Sequence, residues 1–429
     1  MCDVDDSTQP TLDALQRDTL AYFLHEANPG NGLVRDNTRA GAPSSITAVG
    51  FALAAYVVGV ERGWMARADA IARVLATLRF FRDAPSSDAK DATGHCGFDY
   101  HFLDMESGRR AGKCELSTID TTFLVAGALA TASYFTAESG DEREIRALAD
   151  ALYRRVDWQW ALNGGVTVSH GWKPESGFLK ARWEGYNEAI LLYALGMGSP
   201  SHPLPDGSYE AWTRSYRWKS VGGEEYLYAG PLFIHQFSHC WIDFRGIQDD
   251  YMSARGSDYF ENSRRATIAQ QRYAMRNAKR FAGYGEHCWG ITASDGPGPS
   301  RHHIDGRERR FKEYAARGIP YGFDDGTIAP WVAVASLPFA PEIVLPTIRQ
   351  LRLTYPRATE LYGFRSAFNP TFPNGWYSDR WFGIDQGPVV LMIENFRSAL
   401  TWQLMKQCPY LVAGLRRAGF RNGWLSARD

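Results

Sequence analysis

Hydrophobic positions recur at helical spacing almost from the start of this chain. Four segments carry apolar residues on one face and charge on the other: "TLDALQRDTLAYFLHEA", "DAIARVLATLRFFRDA", "DEREIRALADALYRRV" and "APEIVLPTIRQLRLTYP". They predict amphipathic helices lying against a core. A second set is apolar on nearly every side: "SITAVGFALAAYVVGV", "STIDTTFLVAGALATASYF", "NEAILLYALG", "TIAPWVAVASLPFA" and "GPVVLMIENFRSAL". A helix without a polar face is buried all round. These openings fall near Thr47, Ile119, Asn187, Ile328 and Asp385, with a more polar sixth candidate, "NSRRATIAQQRYAM", near Thr267. Fully buried helices alternating with half-buried ones describe an inner ring within an outer ring. The expected fold is all-α, an (α/α)6 toroid with long functional loops at one end.

Those loops are residues 87–116, 198–232, 283–325 and 362–384, rich in Gly, Pro, aromatics and charge. Ordered connections of that length usually carry function. No shift of composition marks a linker, so a single catalytic domain over 1–429 is expected, with residues 1–10 disordered.

Three of the buried helices open with an acid at a matching place: Asp120 in "STIDTT", Glu188 in "GYNEAI" and Asp385 in "GIDQGP". In a toroid the inner helices run the same way, so their starts gather at one end and the acids converge. Capping is the plainer explanation of each. Ser117 followed by Asp120 resembles a capping box, and an acid in a first turn favours the helix dipole. The chemical alternative is glycoside hydrolysis, which needs one carboxylic acid and one carboxylate flanking the scissile bond. Glu188 suits the acid, because its apolar neighbours desolvate it and raise its pKa. Asp385 follows a long loop, where polar surroundings suit a base.

Other polar groups sit in apolar settings. "FIHQFSHCWIDFRG" carries His235, Gln236, Asp243 and Arg245; "YGEHCWGITASDGP" carries Glu286, Trp289 and Asp295. With Trp183, Tyr186, Asn187, Trp381 and Glu394 they form the expected substrate-binding set. Buried pairing or capping is the bland account of each, Asp324 and Asp325 included.

Composition narrows the classes. The chain has 14 Trp, 21 Tyr and 23 Phe, and flat faces with polar edges suit sugar rings. Forty-seven basic residues against 48 acidic argue against nucleic acid as partner. The six cysteines form no C-x-x-C pair, and most are expected to be free thiols. No apolar run reaches the roughly 18 residues of a membrane span. No motif requires a metal or cofactor. The start "MCDVDDSTQP" has neither a basic n-region nor an apolar h-region. The expected location is cytoplasmic if this is the native start.

Six ordered blocks carry a family resemblance: "ELSTIDTTFLVAGAL", "WEGYNEAILLYALGMGSPSHPL", "LFIHQFSHCWIDFRGIQDDY", "YGEHCWGITASDGP", "DDGTIAPWVAVASLPFAPE" and "YGFRSAFNPTF" with "GIDQGPVVLMIENFRS". Together they resemble the bacterial glucoamylase-like family related to glycoside hydrolase family 144, whose characterised members act on β-1,2-glucans. The resemblance implies an (α/α)6 toroid, an inverting β-1,2-glucanase, a periplasmic location with the signal removed, and a monomer or weak dimer. By position Glu188 resembles the general acid, Asp385 the base candidate and Asp120 an essential carboxylate nearby. Endo attack is the expectation over release of sophorose. Competing classes are a transglycosylase on the same glucan, a lyase using His235, Tyr186 and Arg245, and a non-catalytic glucan binder.

Overall fold

The computed structural model describes residues 9–426. Cys2 and most of the start expected to be disordered lie outside the described residues, while Gln9 and Pro10 belong to the first helix. In chain order the helices are α1 (Gln9–His25), α2 (Ile46–Glu61), α3 (Arg67–Asp83), α4 (Thr118–Tyr134), α5 (Gly140–Arg154), α6 (Ile190–Gly198) and α7 (Ser208–Thr213). They continue with α8 (Asp250–Ser253), α9 (Tyr259–Arg276), α10 (Pro330–Val334), α11 (Pro341–Thr354), α12 (Gly383–Arg397), α13 (Leu400–Lys406) and α14 (Pro409–Arg417).

The two kinds of helix expected from the sequence are present. α2, α4, α6, α10 and α12 are buried on nearly all sides. α5 buries Ile145, Leu148, Ala149 and Leu152 on one face and turns its charges outward, apart from the buried Glu142, which pairs with Arg67 at 2.9 Å. α2 packs between α4 and α12, with α1 against α12, α5 against α4, α11 against α10, and α14 against α6. Where α2 crosses α4, both helices use glycine: a Cβ on Gly127 would lie 2.1 Å from the Gly50 carbonyl oxygen. The backbones approach so closely that no side chain fits between them.

The entry into the buried helices is a shared local device. Ser44–Ser45 pairs with Phe102–Leu103 before α2, and Leu116–Ser117 pairs with Gly171–Trp172 before α4. Ile328 bridges Phe368 before α10, and Phe382 bridges Asn37 before α12. Each of these four helix starts is thus clamped by an extended residue from a loop. Ser117 Oγ also accepts from the Asp120 N–H at 3.2 Å, the capping bond its position predicts.

Two expectations change. The long loops are not plain coil: they fold into short antiparallel ribbons, so the described chain is helix-rich rather than purely α. The hairpin Ser300–Ile304 with Arg307–Phe311 turns through Asp305–Gly306, both at positive φ, the conformation a tight two-residue turn requires. The segment near Thr267 is also not an all-round buried helix. α9 buries one face, including Ala266, Thr267 and Gln270, and packs on the 3-10 turn Leu232–His235. That turn and the next, Ser238–Cys240, take the buried position instead. Among the described residues no helix is long and apolar enough to cross a membrane, and Cys96, Cys114, Cys240, Cys288 and Cys408 are free thiols.

Candidate active site

A cleft of about 180 Å³ opens at the starts of α4, α6 and α12, lined by Asp120, Glu188 and Asp385 together. Asp120 and Asp385 are each the third residue of their helix. Glu188 does not open α6 as its sequence suggests; it sits in the turn two residues ahead of Ile190. Ser238 fixes that turn, donating its hydroxyl to the Glu188 carbonyl at 2.8 Å and accepting from the Leu191 N–H at 3.3 Å. Phe123, Phe233, Phe237 and Trp331 wall the cleft. Phe237 meets Phe123 and Phe233 edge-on, at 5.5 and 5.0 Å between ring centres, the packing aromatic quadrupoles favour.

The three carboxyl groups have different surroundings. Burial pushes Glu188 from 4.5 up to about 7; a backbone hydrogen bond opposes this and the nearby Asp120 adds to it. Burial also holds Asp385 well above the ordinary carboxylate range, offset in part by Ser366 and reinforced by Asp36 and Asp295. Its Oδ2 has no hydrogen-bond partner among the described residues. The polar surroundings expected for Asp385 are therefore not found: the start of α12 buries it among Phe382, Ile384 and the aromatic wall. Asp120 is the member best supplied with hydrogen-bond donors. Thr47 from α2 donates to one oxygen and Ser117 to the other. His101 Nδ1 stands 3.6 Å from the second oxygen. Asp120 is thus not the acid of a simple capping box, because its carboxylate turns to hydroxyls rather than to the cap backbone N–H.

Comparison with known proteins gives this arrangement a family. The family model described as "Putative glucoamylase" matches residues 180–409, which hold Glu188 and Asp385. The chain belongs to the glucoamylase-like family. A solved chain of the same description from Bacteroides uniformis is 30% identical, with a TM-score of 0.87, covering 99% of this chain and 100% of that one. The endo-β-1,2-glucanase of Chitinophaga pinensis, solved with sophorotriose and glucose, is 28% identical with a TM-score of 0.87, covering 98% and 100%. The exo β-1,2-glucooligosaccharide sophorohydrolase (non-reducing end) of Parabacteroides distasonis is 29% identical over 95% of this chain. The chain spans 57% of the length of that curated relative.

The glucoamylase-like cleft does not gather the whole expected binding set. Asp295 stands behind Asp385, accepting from Ser378 at 2.7 Å and from Arg380 at 3.0 Å. Trp183 lies against the start of α4, donating to Thr118 Oγ1 at 3.0 Å and stacking on His170 at 3.8 Å. Asn187 caps the Glu188 turn, accepting from the Ala189 N–H at 3.1 Å. Tyr186 and His235 are buried against each other, their ring centres 5.1 Å apart, and burial drops the His235 pKa to about 3.

Several others serve structure. Gln236 donates to the Val332 carbonyl and to Ser336, both at 2.7 Å. Asp243 pairs with Arg245 at 2.7 Å and Lys406 at 2.6 Å. Trp289 is fully buried and donates to Thr347 at 3.0 Å. Trp381 is buried, with the Arg365 guanidinium 4.4 Å from its ring centre. Glu286 is exposed, and its carbonyl accepts from Gln271 at 2.8 Å. Glu394 takes Arg62 at 2.7 and 2.8 Å, Gln16 at 3.0 Å and Ser398 at 2.5 Å. It lies nine residues past Asp385 on α12, about 13 Å along the axis, so it stabilises the far end of that helix.

The apolar wall of the cleft was not foreseen, nor were three polar residues in or behind it. His101 and Tyr314 line it. Asp36 is half-buried behind it, its pKa raised first by desolvation and also by Asp120, with Asn37 and His101 opposing. Asp36 lies in "RDNTRAG" and His101 in "FDYHFLD"; an isolated histidine in an aromatic run was the one available signal.

Proposed function

We propose that this chain hydrolyses β-1,2-glucan as an inverting endo-glycosidase, on an (α/α)6 toroid. The observation that carries the proposal is the meeting of three carboxyl groups from three helix starts in one apolar-walled cleft. Two of the relatives are named for β-1,2-glucan or its oligosaccharides. Endo attack follows the Chitinophaga enzyme, matched over its full length, in preference to the Parabacteroides enzyme, matched over 57%. Five all-round buried helices beside half-buried ones support the toroid.

Glu188, with a pKa of about 7, holds a proton to deliver to the leaving glycosidic oxygen. The opposite role needs a carboxylate that is already ionised. Asp120, with two hydroxyl donors and an imidazole beside it, fits that role better than Asp385, the candidate suggested by family position. It takes a proton from the attacking water, directly or through a sugar hydroxyl. Asp385, whose burial favours the neutral form, donates a hydrogen bond to a sugar hydroxyl. Tyr314, exposed at the cleft, presents ring surface to the sugar.

The test is incubation with linear β-1,2-glucan, resolving products by size and anomeric form. A ladder of short oligosaccharides with inverted first-formed anomer is expected. Disaccharide alone from the outset would replace endo with exo attack, products longer than the substrate would indicate transfer, and no cleavage would reject the substrate.

A further inference from the structure

We propose that His101 is a positioning residue, the counter-ion that holds Asp120 as a carboxylate facing the cleft. The proposal rests on Asp120 as proton acceptor in the hydrolysis above. The His101 backbone is pinned on both sides of the site: its carbonyl accepts from the Ile46 N–H of α2 at 3.2 Å, and its N–H donates to the Glu115 carbonyl at 3.0 Å. The ring lies flat on Phe102, centres 3.9 Å apart. In that pose Nδ1 stands between two carboxyl groups, 3.2 Å from Glu115 Oε1 and 3.6 Å from Asp120 Oδ2. Among the described residues no other cationic side chain makes an ion pair with Asp120.

The surrounding charge requires a cation there. Glu115, Asp120 and Asp36 all act on His101. The remaining positive groups face elsewhere: Arg380 pairs with Asp295 and acts on Asp36, and Lys173 acts on Glu115. Burial alone would push the imidazole pKa down, yet Asp120, Glu115 and Asp36 outweigh it and hold it at about 9. Its hydrogen bond draws Glu115 down to about 2 against burial. A neutral ring would leave three carboxyl groups crowded in a poorly solvated corner, where like charges force one to protonate. Glu115 is on the rim with 29% of its side chain exposed, so water screens it; Asp120, paired with the ring at 3.6 Å and nearly closed to water, depends most on the ring's charge.

Two measurements test this. In a ¹H–¹³C NMR titration of the wild-type protein, the imidazole signal lost in His101→Gln should titrate near pH 9. A midpoint near 6.5 overturns the proposal, with no substrate involved. In kcat/KM against pH on β-1,2-glucan oligosaccharides, His101→Gln should move the acidic limb up by about 1 to 3 pH units and recover activity as pH rises. Lower activity with an unmoved limb reduces His101 to a structural role and also overturns it. Wild-type protein inert toward the glucan rejects the hydrolase proposal and Asp120's part in it, whereas the NMR midpoint alone decides whether His101 is a counter-ion.

Discussion

Replacing Glu188 with Gln should cut turnover by orders of magnitude and, above pH 7, make the protein more stable. The carboxyl group has an ordinary pKa of 4.5 and is pushed to about 7 in the fold, chiefly by burial. Between those values the unfolded chain releases the proton while the folded chain keeps it. The folded state binds more protons there, so its stability falls as pH rises. The interval from 4.5 to about 7, at about 1.4 kcal/mol per pH unit, comes to roughly 3 kcal/mol of destabilisation above pH 7. Partial exposure of the side chain makes that an upper value. Glutamine keeps the shape and has no proton to lose. Urea unfolding of both proteins at pH 5 and pH 8.5 measures the difference. Equal stability at pH 5 and a gain of about 1–3 kcal/mol for Glu188→Gln at pH 8.5 are expected. Activity should fall about 100- to 10,000-fold, the usual worth of a general acid. A variant no more stable at pH 8.5 than at pH 5, relative to wild type, refutes the desolvated acid.

Other perturbations address separate parts of the molecule. Wild-type kcat/KM should decline above about pH 7 as Glu188 loses its proton; a profile flat to pH 9 would exclude it as the acid. Gly127→Ala drives a methyl group to 2.1 Å from the Gly50 carbonyl and should lower stability by about 1–3 kcal/mol or more, read from the urea midpoint, with KM of the folded fraction unchanged. Glu394→Ala strips the partner from Arg62 and should cost about 3–5 kcal/mol while leaving KM alone; lost turnover at full stability would return Glu394 to the site.

The helices and the meeting of the acids were legible in the sequence because both are periodic, local signals. Asp120 and Asp385 occupy the same third position because each follows an extended residue that a loop clamps. Glu188 converges with them although the chain begins α6 two residues later, a shift that apolar spacing does not reveal. What failed was the assignment of ends. Glu394 and Asp385 look alike in sequence, acids in one apolar helix, and differ only in which end of α12 each occupies. Trp289 and Gln236 have the residue types of a sugar site, yet their partners, Thr347 and Val332, are buried helix groups distant in sequence. Asp305–Gly306 and Gly222–Gly223 carry the hairpin signature within stretches whose composition suggested only loop. His101 was out of reach because everything that defines it, from Ile46 to Glu115 and Asp120, comes from other elements.

The arrangement also explains why the carboxyl groups differ although all three serve helix starts. A helix N-terminus favours negative charge, and by itself would treat Asp120 and Asp385 alike. The distinction comes from what the neighbouring helix offers. α2 brings Thr47 to Asp120, and the ribbon at 102–103 that clamps α2 brings His101 with it. At α12 the residue before the helix is Phe382, which offers no cap, and the groups behind Asp385 are the acids Asp36 and Asp295. Glu188 has apolar walls and the Asp120 charge. One carboxyl group thereby has two hydroxyl donors and an imidazole, while burial outweighs the single hydrogen bond at each of the other two, the separation of acid from base that glycoside hydrolysis requires. Removing the Thr47 hydroxyl from Asp120 should therefore narrow the pH window of activity from the acidic side without moving the alkaline limb set by Glu188.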